Sequence, residues 1–106
     1  MNNNQLLGLI GLAMKAGQIC FGADSVEEEI KKRKVKLLII ATDASERTKN
    51  KFVQLAEKYE IPVITYEVIE NLSKAIGKSN KAILGIKDNN FAQSIQKKYN
   101  GGDIIG

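Results

Sequence analysis

Hydrophobic positions recur along the chain in two rhythms, helical and extended, separated by glycine, proline and polar clusters. Leu6, Leu7, Ile10 and Met14 repeat at helical spacing behind Asn3 or Asn4, either of which is an N-cap type, and Gly17 supplies a stop. This predicts a first helix over residues 4–16. Gln18-Ile19-Cys20-Phe21-Gly22 is a short apolar run bounded by glycines and suits a brief strand. Asp24 and Ser25 are both capping residues, and Ser25 with Glu28 has capping-box spacing. A second helix follows, with Glu27, Glu28 and Glu29 near its positive end and Lys31, Lys32, Arg33 and Lys34 in its last turn.

Residues 35–41 (Val-Lys-Leu-Leu-Ile-Ile-Ala) are nearly all apolar and rich in branched side chains, as in a central strand covered on both faces. After the turn Thr42-Asp43-Ala44-Ser45, a third helix carries Phe52, Leu55, Ala56 and Tyr59 on one stripe and ends before Ile61-Pro62, where proline forbids continuation. Residues 63–66 read as a strand, and 68–76 as a short helix with Ile69, Leu72 and Ile76 on one face, closed by Gly77. Residues 81–86 read as a last strand and 91–99 as a last helix centred on Ile95. Strands alternating with helices predict an α/β sheet between helical layers, at least partly parallel. The end, from about residue 100, has glycines and no helical period, so it is expected to fray.

At 106 residues, 43% hydrophobic and 26% charged, the chain has the size and composition of one globular domain spanning residues 1–106. A lone cysteine, Cys20, makes no internal disulfide, which points to a reducing cytosol. The apolar stretch from Leu6 to Met14 is too short to cross a bilayer, and residues 1–5 lack the positive charge of a secretory signal. A cytoplasmic protein with no membrane partner is therefore expected.

Histidine is absent, which removes the usual triad base, the commonest zinc ligand and the usual near-neutral proton shuttle. Gly8, Gly11 and Gly17 follow no strand and lack the Lys-Ser/Thr of a phosphate-binding loop, so close helix packing explains Gly8 and Gly11 better. Cys20, inside a strand without an activating base, reads as a buried inert thiol. The loop Thr42-Asp43-Ala44-Ser45 at a helix start offers a phosphate-holding enzyme reading, without a nearby general base. No enzyme activity, metal or cofactor is expected.

Sixteen Lys+Arg against twelve Asp+Glu give a net charge of +4 and a pI of about 9.2. Five cations lie between Lys31 and Lys36, and from Asn71 to Lys87 there are four lysines (Lys74, Lys78, Lys81, Lys87) and no acidic residue. Arg47, Lys49 and Lys51 form a third cluster. Two basic loops would clasp a phosphate backbone if the fold brings them together; a solvated surface competes with that reading. No aromatic residue is interleaved with these lysines, so recognition of shape and phosphate fits better than base stacking.

The blocks 9–17 (Leu-Ile-Gly-Leu-Ala-Met-Lys-Ala-Gly), 21–26 (Phe-Gly-Ala-Asp-Ser-Val), 36–45, Ile61-Pro62-Val63 and 72–78 (Leu-Ser-Lys-Ala-Ile-Gly-Lys) together resemble the kink-turn RNA-binding ribosomal protein family, most closely its stand-alone bacterial branch. The resemblance covers residues 6–99. It implies a three-layer α-β-α sandwich with a four-stranded mixed sheet and a non-catalytic, monomeric role in translation as part of a ribonucleoprotein, gripping a sharply bent RNA internal loop. Gly22 falls at the family glycine that lets backbone approach RNA. Asp24 stands at the family's asparagine and loses an amide donor, Ser25 at its glutamate, and Glu28 at its lysine, a charge reversal worth on the order of one to three kcal/mol against RNA. Ser73 replaces a glycine, whereas Gly77 and Lys78 agree with the bacterial branch.

The RNA-binding set expected from the resemblance and the basic clusters together is Gly22, Ala23, Asp24, Ser25 and Glu28 at the positioning turn, Gly77 in the second loop, and Lys15, Lys31, Lys32, Arg33, Lys74 and Lys78 on phosphates. Structured RNA, kink-turn or ribosomal, is the expected partner, with ribosomal proteins as further partners. The alternative is a protein–protein module of the translation machinery with weak, non-specific RNA affinity.

Overall fold

A computed structural model of the protein describes the backbone of residues 2–101 and the side chains of residues 5–101. The elements follow the order α1 (Asn2–Lys15), β1 (Ile19–Phe21), α2 (Ala23–Lys31), β2 (Leu37–Ile40), α3 (Glu46–Tyr59), β3 (Val63–Thr65), α4 (Ile69–Ala75), β4 (Ile83–Ile86) and α5 (Asn89–Tyr99). Helix α1 is already formed at Asn2, so Asn3 and Asn4 lie within it rather than capping it. The tail expected to fray lies, beyond Gly101, outside the described residues.

The four strands form one mixed sheet in the order β1-β4-β2-β3. Strands β2 and β3 are parallel, joined by α3, while β4 runs antiparallel to both β1 and β2. Every residue of β2 and β4 is buried, which requires a helical layer on each face. Helices α2 and α3 pack together as one layer, and α1 packs on α4 and α5 as the other.

One core joins the layers: Ile10 and Ala13 from α1, Val26 and Ile30 from α2, Phe52 and Ala56 from α3, Leu72 from α4 and Ile95 from α5 all close on β2 and β4. Gly85 stands in register between Cys20 and Leu38. A Cβ there would lie 2.8 Å from Cys20 Sγ and 3.1 Å from a Val35 methyl, so the middle strand admits only glycine without a shift of its neighbours.

Helix α2 departs from expectation at both ends. It starts directly after Gly22, whose φ of 89° suits glycine and whose N–H is tied to the Ile83 carbonyl, so Asp24 and Ser25 sit inside the first turn and cap nothing. The helix stops at Lys31, because Arg33 takes a left-handed φ of 61°; Lys32, Arg33 and Lys34 therefore form its exit turn and not its last helical turn. Of the two glycines read as packing positions, Gly11 meets the Ala75 carbonyl at 3.2 Å from its would-be Cβ, while Gly8 faces open space.

Candidate nucleic-acid interface

Strand pairing places the ends of β1, β2 and β3 and the beginning of β4 along one edge of the sheet. Short hydrogen bonds lock the loops there. Gly22 N–H donates to Ile83 O at 3.0 Å and Ala41 N–H to Ala82 O at 2.9 Å. Thr42 donates to Glu67 O from both N–H and Oγ1, at 2.7 and 3.0 Å. Asp43 Oδ1 accepts from Ile69 N–H at 2.8 Å and so caps α4 from a distance in sequence. Ser45 caps α3 through the Thr48 N–H.

The head of α2 is different. No side chain caps it, so the first-turn N–H groups around Ala23, Asp24 and Ser25, which no helix satisfies internally, face outward at the positive end of the helix dipole. Beside this helix start, Lys78 Nζ lies 5.2 Å and Lys81 Nζ 5.6 Å from the centroid of the Phe21 ring. An aromatic ring therefore does stand among the cations, contrary to the linear reading, because the fold carries the end of β1 under the loop between α4 and β4. In the sequence Phe21 reads as an ordinary strand residue; its position next to Gly22 is the signal that marks it. No carboxylate comes within ion-pair distance of Lys78 or Lys81 among the described residues.

Ser73 holds this loop in place. It is buried, and its Oγ accepts from the Lys81 N–H at 2.8 Å, while its carbonyl accepts from the Lys78 N–H at 2.8 Å. Gly77 turns the chain with φ 71°. Replacing Ser73 with alanine strands the Lys81 N–H; we expect a stability loss of about 1–2 kcal/mol and faster amide exchange at Lys81. Unchanged exchange there would show that the hydroxyl does not hold the loop.

The remaining candidates divide. Lys15, Lys74 and Gly77 line a groove of about 670 Å³ between α1 and α4, together with Gly8, Gly11 and Leu12. Lys74 also pairs with Glu70 at 4.0 Å. Glu28 is exposed and pairs with Lys32 at 3.7 Å, one turn down α2. Glu27 binds Lys51 at 2.8 Å and Lys31 at 3.1 Å, and these two ammonium groups hold its carboxyl below the usual carboxylate range. Lys31, Lys32 and Arg33 lie at the far end of α2, so the fold does not bring them to Lys74 and Lys78.

Burial, with the Glu29 carboxylate adding to it, pushes the Cys20 thiol up to about 11, so it stays protonated and unreactive at neutral pH. Among the described residues no group of His, Cys, Asp and Glu is placed to hold a metal ion, and no helix is long and apolar enough to cross a membrane.

Residues 4–96 match the ribosomal protein L7Ae/L30e/S12e/Gadd45 family. An RNA-binding protein YlxQ from Enterococcus faecium is 35% identical over 100 residues, covering 94% of this chain and 96% of that protein. The RNA-binding protein YlxQ of Bacillus subtilis (strain 168) is 30% identical over 95 residues, covering 90% of this chain and 95% of that protein. A solved protein of unknown function from Bacillus halodurans superposes with a TM-score of 0.87 at 32% identity, over 90% of this chain and 96% of its own. A Giardia lamblia 15.5kD RNA binding protein shares the fold, with a TM-score of 0.77 at 17% identity over 99% of this chain and 90% of its own. With nearly the whole chain matched and the three-layer fold in place, the protein belongs to the ribosomal protein L7Ae/L30e/S12e/Gadd45 family, in its stand-alone bacterial branch.

Proposed function

We propose that this chain is a non-catalytic RNA-binding protein of the bacterial cytoplasm, associated with the ribosome, that grips kink-turn-like structured RNA along the edge built from Gly22 and the loop between α4 and β4. The observation that carries this reading is the uncapped head of α2 with Lys78 and Lys81 clustered beside it over Phe21. Open N–H groups at a helix start and two cations with no carboxylate partner among the described residues present a ready site for phosphates. The names of the curated relatives, which are RNA-binding proteins and not enzymes, support the same reading.

The phosphate-holding enzyme reading fares poorly, because Thr42, Asp43 and Ser45 each engage a side-chain oxygen in a hydrogen bond with the protein's own backbone. Glu28, at the family's lysine position, pairs with Lys32 one turn away from this edge, which draws its carboxylate toward the far end of α2.

Binding of the purified protein to a kink-turn RNA and to a plain duplex of equal length, at low and near-physiological salt, tests the proposal. A preference for the kink-turn that survives salt is expected. Equal, salt-sensitive binding to both would overturn it and favour the protein–protein module.

A further inference from the structure

The basic tract at the exit of α2 lies at the opposite end of the sheet from the edge that holds Gly22. Lys36 N–H donates to the carbonyl of Ile86, whereas Gly22 N–H donates to that of Ile83. The length of β4, about 10 Å at the rise of a strand, separates the two surfaces. The charge pattern of the sequence groups Arg33 with the phosphate contacts around Gly22, but the fold separates it from them, and the proposed function gives the tract no role.

Its charges fall into two groups. Lys31 and Lys32 are paired with Glu27 and Glu28 along α2. Arg33, Lys34 and Lys36 are exposed, and among the described residues none has a carboxylate within ion-pair distance. The left-handed backbone at Arg33, fixed by its N–H bond to Ile30 O at 2.9 Å, sets the guanidinium over Tyr59, 5.1 Å from the ring centroid. Lys58 approaches the same ring at 5.7 Å.

Arg33 and Lys36 line a concavity of about 270 Å³ with Tyr59 and Pro62, in which Glu60 is the sole acidic lining residue among the described residues. A guanidinium held over a half-buried ring, with the exposed ammonium groups of Lys34, Lys36 and Lys58 around it, makes a surface for the phosphates of a backbone. Four positive charges around one short turn suit the closely spaced phosphates of a nucleic-acid backbone better than the more widely spaced carboxylates of an acidic peptide.

We propose that Arg33, Lys34 and Lys36, set around Tyr59, form a second RNA-binding surface, so that one chain holds two RNA segments at opposite ends of its sheet.

The test uses the full chain, a kink-turn RNA with short stems, and a labelled plain RNA duplex. The duplex is expected to bind protein already saturated with kink-turn RNA. The R33A/K34A/K36A variant should weaken duplex binding by about tenfold and lower its salt slope by about two to three, near one for each cation that no longer meets a phosphate. Its affinity for kink-turn RNA should stay within about twofold, as the two surfaces share no residue. K34E/K36E leaves the Arg33 turn intact and should weaken the duplex at least as much, which separates damage to the surface from damage to the fold.

K78A/K81A should do the reverse, weakening kink-turn RNA and sparing the duplex, so a failure of the first surface is read independently. Displacement of the duplex by kink-turn RNA, one for one, would overturn the proposal. So would wild-type duplex binding by both variants of the tract; an acidic peptide bound by the wild type alone would then reassign the surface to a protein partner.

Discussion

Reversing Lys78 and Lys81 together, in K78E/K81E, is expected to weaken RNA binding by on the order of a hundredfold at low salt, equivalent to about 2.7 kcal/mol. Each lysine removed takes away about one phosphate interaction and about one unit of salt slope. Each glutamate introduced then faces the same phosphates with like charge, beside a helix start that otherwise attracts them. Neither lysine is ion-paired among the described residues, so the fold loses chiefly their two contacts with the Phe21 ring, and stability should fall by no more than about 1–2 kcal/mol. Anisotropy titrations at several salt concentrations, with thermal melts alongside, measure both quantities. Affinity and slope equal to wild type would remove this loop from the interface.

Phe52→Ala should be the most destabilising single change in the core, costing about 3–5 kcal/mol. Phe52 is fully buried on α3 and packs where that helix meets the sheet, so truncation leaves a void that the rigid β2 cannot fill. Against a total stability of about 5–15 kcal/mol for a natural domain, that is a large fraction. Its neighbour Val53 is 40% exposed, and Val53→Ala should stay within about 0.5 kcal/mol. Urea unfolding of both variants provides the comparison; a Phe52→Ala loss below about 1 kcal/mol would mean that the site collapses around the missing ring.

Periodicity was enough to place most elements. The apolar run at 35–41 and the stripe of Phe52, Leu55, Ala56 and Tyr59 appear as β2 and α3, because burial on two faces or one leaves a direct mark on residue type. Pro62 and Gly77 mark real boundaries for the same local reason.

The strand order could not be read that way. Residues 83–86 (Ile-Leu-Gly-Ile) are as apolar as β2, and composition does not say that β4 enters between β1 and β2 and runs against both. Capping chemistry misled at α2, where Asp24 and Ser25 are capping types, but the bond from Gly22 to Ile83 starts the helix earlier. That bond spans most of the chain, and no local pattern encodes it. The same holds for the candidate site: Phe21 meets Lys78 and Lys81 only through β1–β4 pairing, and Lys31 parts from Lys78 only through the direction of α2.

The seat of β4 between β1 and β2 has a consequence for synthesis. A ribosome releases the chain from its first residue onward, and until residues 83–86 emerge, β1 has no neighbour and Gly22 no acceptor for its N–H. Closing that pair also waits on the entropy of a loop of some sixty residues, which sets it among the later events of folding. The proposed RNA edge therefore comes into being only once residues 83–86 have been made, and a product truncated before them would be unable to occupy the RNA in place of the finished protein.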